Sequence, residues 1–538
     1  MGESVAAEGR DRRRLTGPRA TWGILAVIVA AHVSVAAFVF DPKPFVGGDN
    51  AGYLILAESI QTGQGYRDLH LPGTPRHATS PPLYPLVLAL ARGVGSGLLG
   101  FKALSIVFTA LSVILLYFLA RRRLGATASL AVAAAFAINP VLLYYSHWTL
   151  PEPLFVLLAL AALWSAETSR LLGRSEESTD SGVRLAWAAG AAALASLAYL
   201  TRGGAIPLVL AILIVLGWRR RWRALAASTI VAALAVGGWQ AWRALAVPRE
   251  AAASGAHLLS DPANPDRLAG PGELVTRFID SVRVYLVDLT PQSIAGVPVG
   301  GGVNPLALMC GLLVIALALV AWIREVRRVR PVEFYAALYA LWLFLWPWNE
   351  RRLLLALLPV LYLLAAQGLL WCLDFARFKS HAWAVPAFAA LLVMVGVPHH
   401  VRALSFAADC RRLYREGDRL ACYPPPWRGF FQAAAWARAN TPEGSTIVSP
   451  EPRLFYLVSD RQGDEYPPTA DTDSMLAFLD SVSADYVVVA AVSPTTFRYL
   501  VPVLRAMPER FEPVHAEGEG TSAAYLVAYL TARPQESP

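Results

Sequence analysis

The chain has 538 residues, of which 56% are hydrophobic and only 16% charged, and it carries a net charge of +8. Soluble domains hold roughly 25% charged residues, so a chain this long and this apolar cannot hide its surface in one aqueous core, and a bilayer is the solvent it fits. Lysine is confined to Lys43, Lys102 and Lys379; the positive charge is therefore almost all arginine, spread over many loops instead of one basic face, which argues against a nucleic-acid partner.

Apolar runs long enough to cross a hydrocarbon layer, or nearly so, fall at 22–40, 98–120, 126–146, 151–167, 184–201, 204–218, 224–246, 303–323, 332–347, 353–372 and 382–398. They predict a polytopic α-helical membrane protein of about eleven spans. Basic clusters at Arg12–Arg14, Arg121–Arg123, Arg170–Arg174, Arg219–Arg223, Arg324–Arg330 and Arg377–Lys379 occupy every second short loop. The positive-inside bias puts all six in the cytoplasm, with an inside N-terminus and residues 399–538 outside. The segment 81–92 is apolar but too short to span, and is expected as a juxtamembrane or re-entrant helix at the outer interface. The first span has no convincing cleavage site and is expected to be a signal anchor. Residues 1–21 form a cytoplasmic tail in this scheme, and 22–402 a membrane module with long outer loops 41–97 and 247–302. His32 is the main ionisable residue at mid-depth; pumps and ion-coupled transporters usually need more, which moves the expected chemistry to the outer rim.

In the first outer loop, Tyr53, Leu54, Leu56, Ala57 and Ile60 recur at helical spacing after Asp49. Asp49 thus opens an amphipathic helix, where N-capping alone would explain it. The turn His147–Phe155 sets Glu152 between Pro151 and Pro153, where an acidic residue in a first helical turn also complements the helix dipole. Further outer turns hold Arg202 and the run Glu350, Arg351 and Arg352. Arginine outside a membrane runs against the positive-inside bias, and an anionic lipid phosphate is a natural reason for it; pairing of Arg351 and Arg352 with Glu350 is the plainer one. In the loop 247–302, Phe278, Val282, Leu286 and Leu289 share one helical face and predict an interfacial helix.

From about Ala403 the chain reads as a small extracytoplasmic α/β domain, 403–538. Helical runs near 430–439, 475–482 and 497–506 alternate with strand-like 446–449, 485–491 and 523–530. Cys310 and Cys372 fall inside spans, as packing residues. Cys410 and Cys422 fall outside, where an oxidising compartment permits a disulfide.

The order of these motifs resembles the GT-C superfamily of membrane glycosyltransferases, in particular the protein O-mannosyltransferase and aminoarabinose transferase branch. The motifs are Asp49-Asn50-Ala51-Gly52-Tyr53, Thr79-Ser80-Pro81-Pro82-Leu83-Tyr84, Glu152 in Leu150-Pro151-Glu152-Pro153-Leu154, Thr201-Arg202-Gly203, and the helix start from Arg352 to Pro359. Asn50 stands where a second acidic residue often follows the first, and Ser80 where His is common; His77, three residues earlier, is available to stand in, though a solvated loop is its simpler place. The resemblance implies a bacterial-type plasma-membrane enzyme that takes a sugar from a polyprenyl-phosphate donor to a protein, lipid or glycan acceptor at the outer face, with inversion. Asp49 would be the general base. Glu152 would orient the acceptor or bind a divalent cation, Arg202 and Arg352 would meet the leaving phosphate, and Tyr53, His77 and Arg351 would line the substrate site. No ligand spacing in the sequence demands a metal. A transporter or lipid flippase is the alternative, and it predicts internal repeats and mid-depth polar groups; a non-catalytic scaffold is the third reading.

Overall fold

The computed structural model describes residues 17–168, 181–246, 260–261, 264–296, 302–378, 383–520 and 523–530. The basic clusters at Arg12–Arg14 and Arg170–Arg174, Lys379, and parts of the loop 247–302 lie outside the described residues.

Two compact units emerge. The first comprises Met1–Asp41, Ala78–Tyr84 and Gly100–Ala408; the second comprises Pro42–His77, Pro85–Leu99 and Asp409–Pro538. The sequence pattern groups the outer loop 41–97 with the membrane module, but most of that loop clusters with the C-terminal segment. Ala51 is buried in one core with Phe430, Leu454 and Phe455, and Gly463 N–H donates to the His70 carbonyl at 2.8 Å. Hydropathy marks the loop as non-spanning but says nothing about which partner it packs against.

The first unit is helical and apolar. Among the described residues, six helices are long and apolar enough to cross a membrane: Pro18–Phe38, Leu98–Arg121, Trp222–Ala246, Pro305–Arg328, Leu358–Phe375 and Ala384–Arg415. The other expected spans are shorter apolar helices: Ala126–Ala137 with Pro140–Tyr145, Glu152–Thr168, Leu185–Thr201, Ile206–Trp218 and Pro331–Leu345. The chain is thus a multi-pass membrane protein. Asn139 explains the broken helix. Its side chain caps the second piece by accepting from the Val141 and Leu142 amides, with Pro140 at the first helical position. It also donates to the Ser293 carbonyl and the Tyr362 hydroxyl at 3.0 Å each, so a buried amide fastens three elements.

Buried polar groups fix other contacts as well. His32 bridges the Ala137 carbonyl at 2.7 Å and the Thr109 hydroxyl at 2.9 Å, a structural use of the mid-depth histidine. Arg123, a member of the expected Arg121–Arg123 cluster, has a fully buried side chain paired with Glu167 and Glu333. Gly368 sits where the Leu358–Phe375 helix meets the Leu317 backbone, so close that an added Cβ would fall 1.9 Å from that carbonyl oxygen; glycine lets the two helices touch. The helix Pro271–Arg283 forms in the loop 247–302, with Phe278 edge-on to Phe344 at 5.7 Å between ring centroids.

The last apolar run does not stop at Pro398. The helix continues past it to Arg415, because an internal proline removes one hydrogen bond and kinks a helix without ending it when neighbouring turns are held. Cys410 on its final turns is disulfide-bonded to Cys422. The C-terminal segment then builds a four-stranded sheet in the order Ile447–Val448, Tyr486–Ala490, Ala524–Tyr529, Phe511–Glu517, with the first pair parallel and the others antiparallel. Helices Pro425–Asn440, Pro452–Ser459 and Thr472–Ser481 accompany it. The strand Phe511–Glu517 escapes the sequence pattern because it is an edge: Pro513 sits at an irregularity in its register, where a missing N–H is tolerated.

Candidate active site

In the first unit Glu152 opens the helix Glu152–Thr168, held by Pro151, whose carbonyl accepts the Phe155 amide at 2.9 Å. It is 2% exposed. Arg202 Nη1 donates to its Oε1, and Arg352 Nε lies 3.8 Å from the same oxygen. Arg352 also pairs with Glu350 through Nε and, at 3.2 Å, Nη2. Glu152 Oε2 is buried and has no hydrogen-bond partner among the described residues. Two guanidinium groups therefore converge on one carboxylate, leaving one carboxylate oxygen for a ligand.

The chain's local chemistry aims both arginines. Arg202 ends the helix Ser181–Thr201 and precedes a 3-10 turn at Gly203–Ala205. That turn presses on Trp342, whose ring would lie 2.7 Å from a Cβ at Gly204, so only glycine allows the approach. The short helix Arg351–Leu354 is pinned by Tyr339, whose hydroxyl donates to the Leu353 carbonyl at 2.9 Å. Tyr145 lies within electrostatic reach of Glu152, Arg351 and Arg352, and Tyr285 within reach of Glu350 and Arg202.

A second polar cluster holds the turn that delivers Glu152. Lys102 is fully buried and donates to the Asp41 carbonyl at 2.8 Å; Ser105 donates to the Trp148 carbonyl at 2.7 Å. His147 is pushed down to about 4 by burial and then by the Lys102 charge. Lys102 has a sequence signal, a rare lysine opening an apolar helix, that loop-charge reasoning passes over.

In the second unit Asp49 is the second residue of the helix Gly48–Gln61, whose N-cap is Gly47 with φ of 145°. Capping therefore belongs to Gly47, not Asp49. The half-exposed Asp49 carboxylate instead faces Arg453 Nη1, 3.8 Å from its Oδ1. Tyr53 follows one turn later on the same helix. His77 is buried, not in a solvated loop: its Nδ1 bonds Asp68 Oδ2 at 2.9 Å, and Tyr66 meets its ring edge-on. Burial acts to raise the Asp68 carboxyl, but the His77 hydrogen bond and charge outweigh it and hold it below its ordinary value. The structure thus brings Glu152, Arg202 and Arg352 together, with Arg351 beside them, and separately joins Asp49 to Arg453 and His77 to Asp68. Among the described residues no three His, Cys, Asp or Glu side chains gather as a cation cage. Glu152 offers a cation only one oxygen, beside two arginines, so these residues do not fit a metal centre by themselves.

A multi-pass helical protein with paired carboxylates and arginines at its helix ends defines the class; comparison with known proteins shows what it resembles. Residues 79–238, less than half the chain, match the model of the dolichyl-phosphate-mannose-protein mannosyltransferase family. The undecaprenyl phosphate-alpha-4-amino-4-deoxy-L-arabinose arabinosyl transferase of Pseudomonas aeruginosa (strain UCBPP-PA14) is 32% identical over 200 residues, covering 35% of this chain and 34% of that protein. The chain thus matches about a third of the length of the curated relative. Among solved structures, ArnT from Cupriavidus metallidurans in the apo state superposes with a TM-score of 0.57 at 15% identity, covering 95% of this chain and 98% of that one. The apo oligosaccharyltransferase of Archaeoglobus fulgidus gives 0.58 at 14% identity, over 88% and 70%. The chain thus shares the fold of these two membrane proteins over most of its length.

Proposed function

We propose that the protein transfers a sugar from a polyprenyl-phosphate donor to an acceptor at the outer face of a bacterial plasma membrane, inverting the anomeric centre. The observation that carries this reading is the convergence of Arg202 and Arg352 on buried Glu152, a pair of planar donors suited to phosphate oxygens. Similar proteins have been solved with such lipids: the Cupriavidus ArnT bound to undecaprenyl phosphate, and the archaeal oligosaccharyltransferase with a dolichol-phosphate and an inhibitory peptide. Another structure of the latter is in complex with Zn and sulfate, but no step here is routed through a metal.

In the proposed reaction the acceptor's nucleophile attacks the anomeric carbon while Asp49 takes its proton. The bond from that carbon to the phosphate oxygen breaks, and polyprenyl phosphate leaves with its added charge met by Arg202 and Arg352. A positioned base of this kind contributes typically 10²–10⁴-fold, and anion stabilisation in a water-poor site adds to it. Glu152 holds the arginines in place and presents Oε2 to a donor or acceptor hydroxyl. Tyr53, His77 and Arg351 are the further substrate contacts in this scheme. The N-terminus is cytoplasmic and residues 399–538 are outside.

The test is complementation. A strain lacking the gene is compared with its parent by mass spectrometry of cell-envelope glycans and glycoproteins, and the missing sugar is then followed in strains carrying variants. Wild type restores it; Asp49→Asn inserts normally and does not. Full restoration by Asp49→Asn removes that residue from the mechanism.

A further inference from the structure

The residues around Asp49 come from the far end of the chain. The helix Pro452–Ser459 starts against the first turns of the helix Gly48–Gln61, locked by Ala51, Leu454 and Phe455 in one buried core. Two glycines one turn apart make room for it. A Cβ on Gly48 would lie 3.0 Å from Glu451 Oε2, and one on Gly52 would lie 3.4 Å from Arg453 Cδ and 3.5 Å from its Nη1. The side chains of Glu451 and Arg453 thus lie across the glycine face of the helix that carries Asp49. Neither residue belongs to a motif of the membrane module.

We propose that Arg453 and Glu451 are positioning residues for the Asp49 carboxylate, so that the C-terminal segment completes the base of the reaction instead of merely covering it. This rests on the general-base reading of Asp49. A base must be ionised and aimed when the acceptor arrives. Arg453, 3.8 Å from Asp49 Oδ1, keeps the carboxylate charged, and Glu451 attracts the same guanidinium. Glu451 itself is raised to about 7, first by burial, then by the nearby Glu465, with Asp49 adding to the effect. It is therefore partly neutral at physiological pH and repels the Asp49 charge less than an ordinary glutamate. The other charged and titratable groups facing Arg453 are Asp68, His70, Asp464 and Glu465. One arginine thus serves several carboxylates.

The test uses the full-length protein in detergent. Carbodiimide coupling of an amine to Asp49, quantified by mass spectrometry from pH 3 to 8, gives the midpoint at which that carboxyl ionises. Removing a cation within about 4 Å of a half-exposed carboxylate raises its midpoint by about one pH unit. Arg453→Ala and Arg453→Gln are expected to do so, and Arg453→Lys to recover most of it; Gln keeps the length and donors, so a folding defect in the Ala variant leaves the question answerable. In the complemented strain, sugar restoration falls at least about tenfold with Arg453→Gln and returns with Lys. If Asp49→Asn abolishes restoration while Arg453→Gln leaves the midpoint unmoved, the positioning role is overturned and the base survives. If Asp49→Asn restores the sugar, the base falls and takes this role with it.

Discussion

Replacing Glu152 by Gln sets two consequences of the charge cluster against each other. The Glu152 side chain is 3% exposed and that of Arg202 18%. Gln keeps the size and an acceptor but removes the charge that Arg202 and Arg352 share. Deleting one partner of a fully buried ion pair costs about 3–5 kcal/mol. Arg202 keeps some contact with solvent and Arg352 retains Glu350, so about 2 kcal/mol is the expected loss, a fall in melting temperature of roughly 2 °C for a chain of this length. Phosphate affinity moves the other way. Two like unit charges about 7 Å apart repel by about 2.4 kcal/mol at an effective dielectric of about 20. A phosphate seated on the two arginines is at about that range from Glu152, and partial solvent screening halves the figure to about 1.2 kcal/mol, which is nearly tenfold in affinity. Glu152→Gln should therefore be less stable yet bind undecaprenyl phosphate about tenfold more tightly. Thermal unfolding and equilibrium titration of the detergent-solubilised full-length protein measure both. Equal or weaker binding by the variant would refute the seating of phosphate on Arg202 and Arg352, and an unchanged melting temperature would refute the structural weight given to the pair.

Three further perturbations address other parts of the chain. Replacing Cys410 and Cys422 by Ser opens a bridge with a sequence separation of 12; a loop of that size is worth about 3 kcal/mol, and the variant should melt like reduced wild type, whereas equal melting of reduced and oxidised wild type would contradict it. Gly368→Ala places a methyl group 1.9 Å from the Leu317 carbonyl oxygen and should cost about 3 kcal/mol or the fold itself, while Gly190→Ala, with nothing within 4 Å, should be neutral or slightly stabilising; similar folded yields would sink the close-packing argument. The raised Glu451 group means that the folded protein holds a proton which the unfolded chain releases near pH 4.5. Its contribution to stability is complete below that pH and is lost as pH rises to about 7. Glu451→Gln should flatten that part of the stability profile, and an unaltered slope between those limits would show that the group titrates normally.

The helices were largely legible because their signal is local. An apolar run reports its own burial, and the observed helices start and stop within a few residues of the runs, at Pro331 and at Leu358-Pro359 for example. The exceptions have local causes of another kind: Asn139-Pro140 breaks a run that hydropathy alone reads as continuous, and Pro398 fails to end a helix that polarity alone would close. Glu152, Arg202 and Arg352 could be nominated one at a time, each as a charge out of place beside an apolar segment. Arg453 and Glu451 could not, because nothing in their immediate sequence sets them apart from ordinary solvated charges.

What the sequence by itself determined, then, is the solvent of the protein, the run of its helices and the short list of charges that need a reason. The tertiary structure alone decided the pairings: Arg202 with Glu152, Arg453 with Asp49, Asp68 with His77, and the outer loop with the C-terminal segment. The physical reason is range. Helical periodicity and hydropathy act over a few residues of chain, whereas a charge chooses its partner through a few ångströms of space, and only the folded backbone says which distant residues share them.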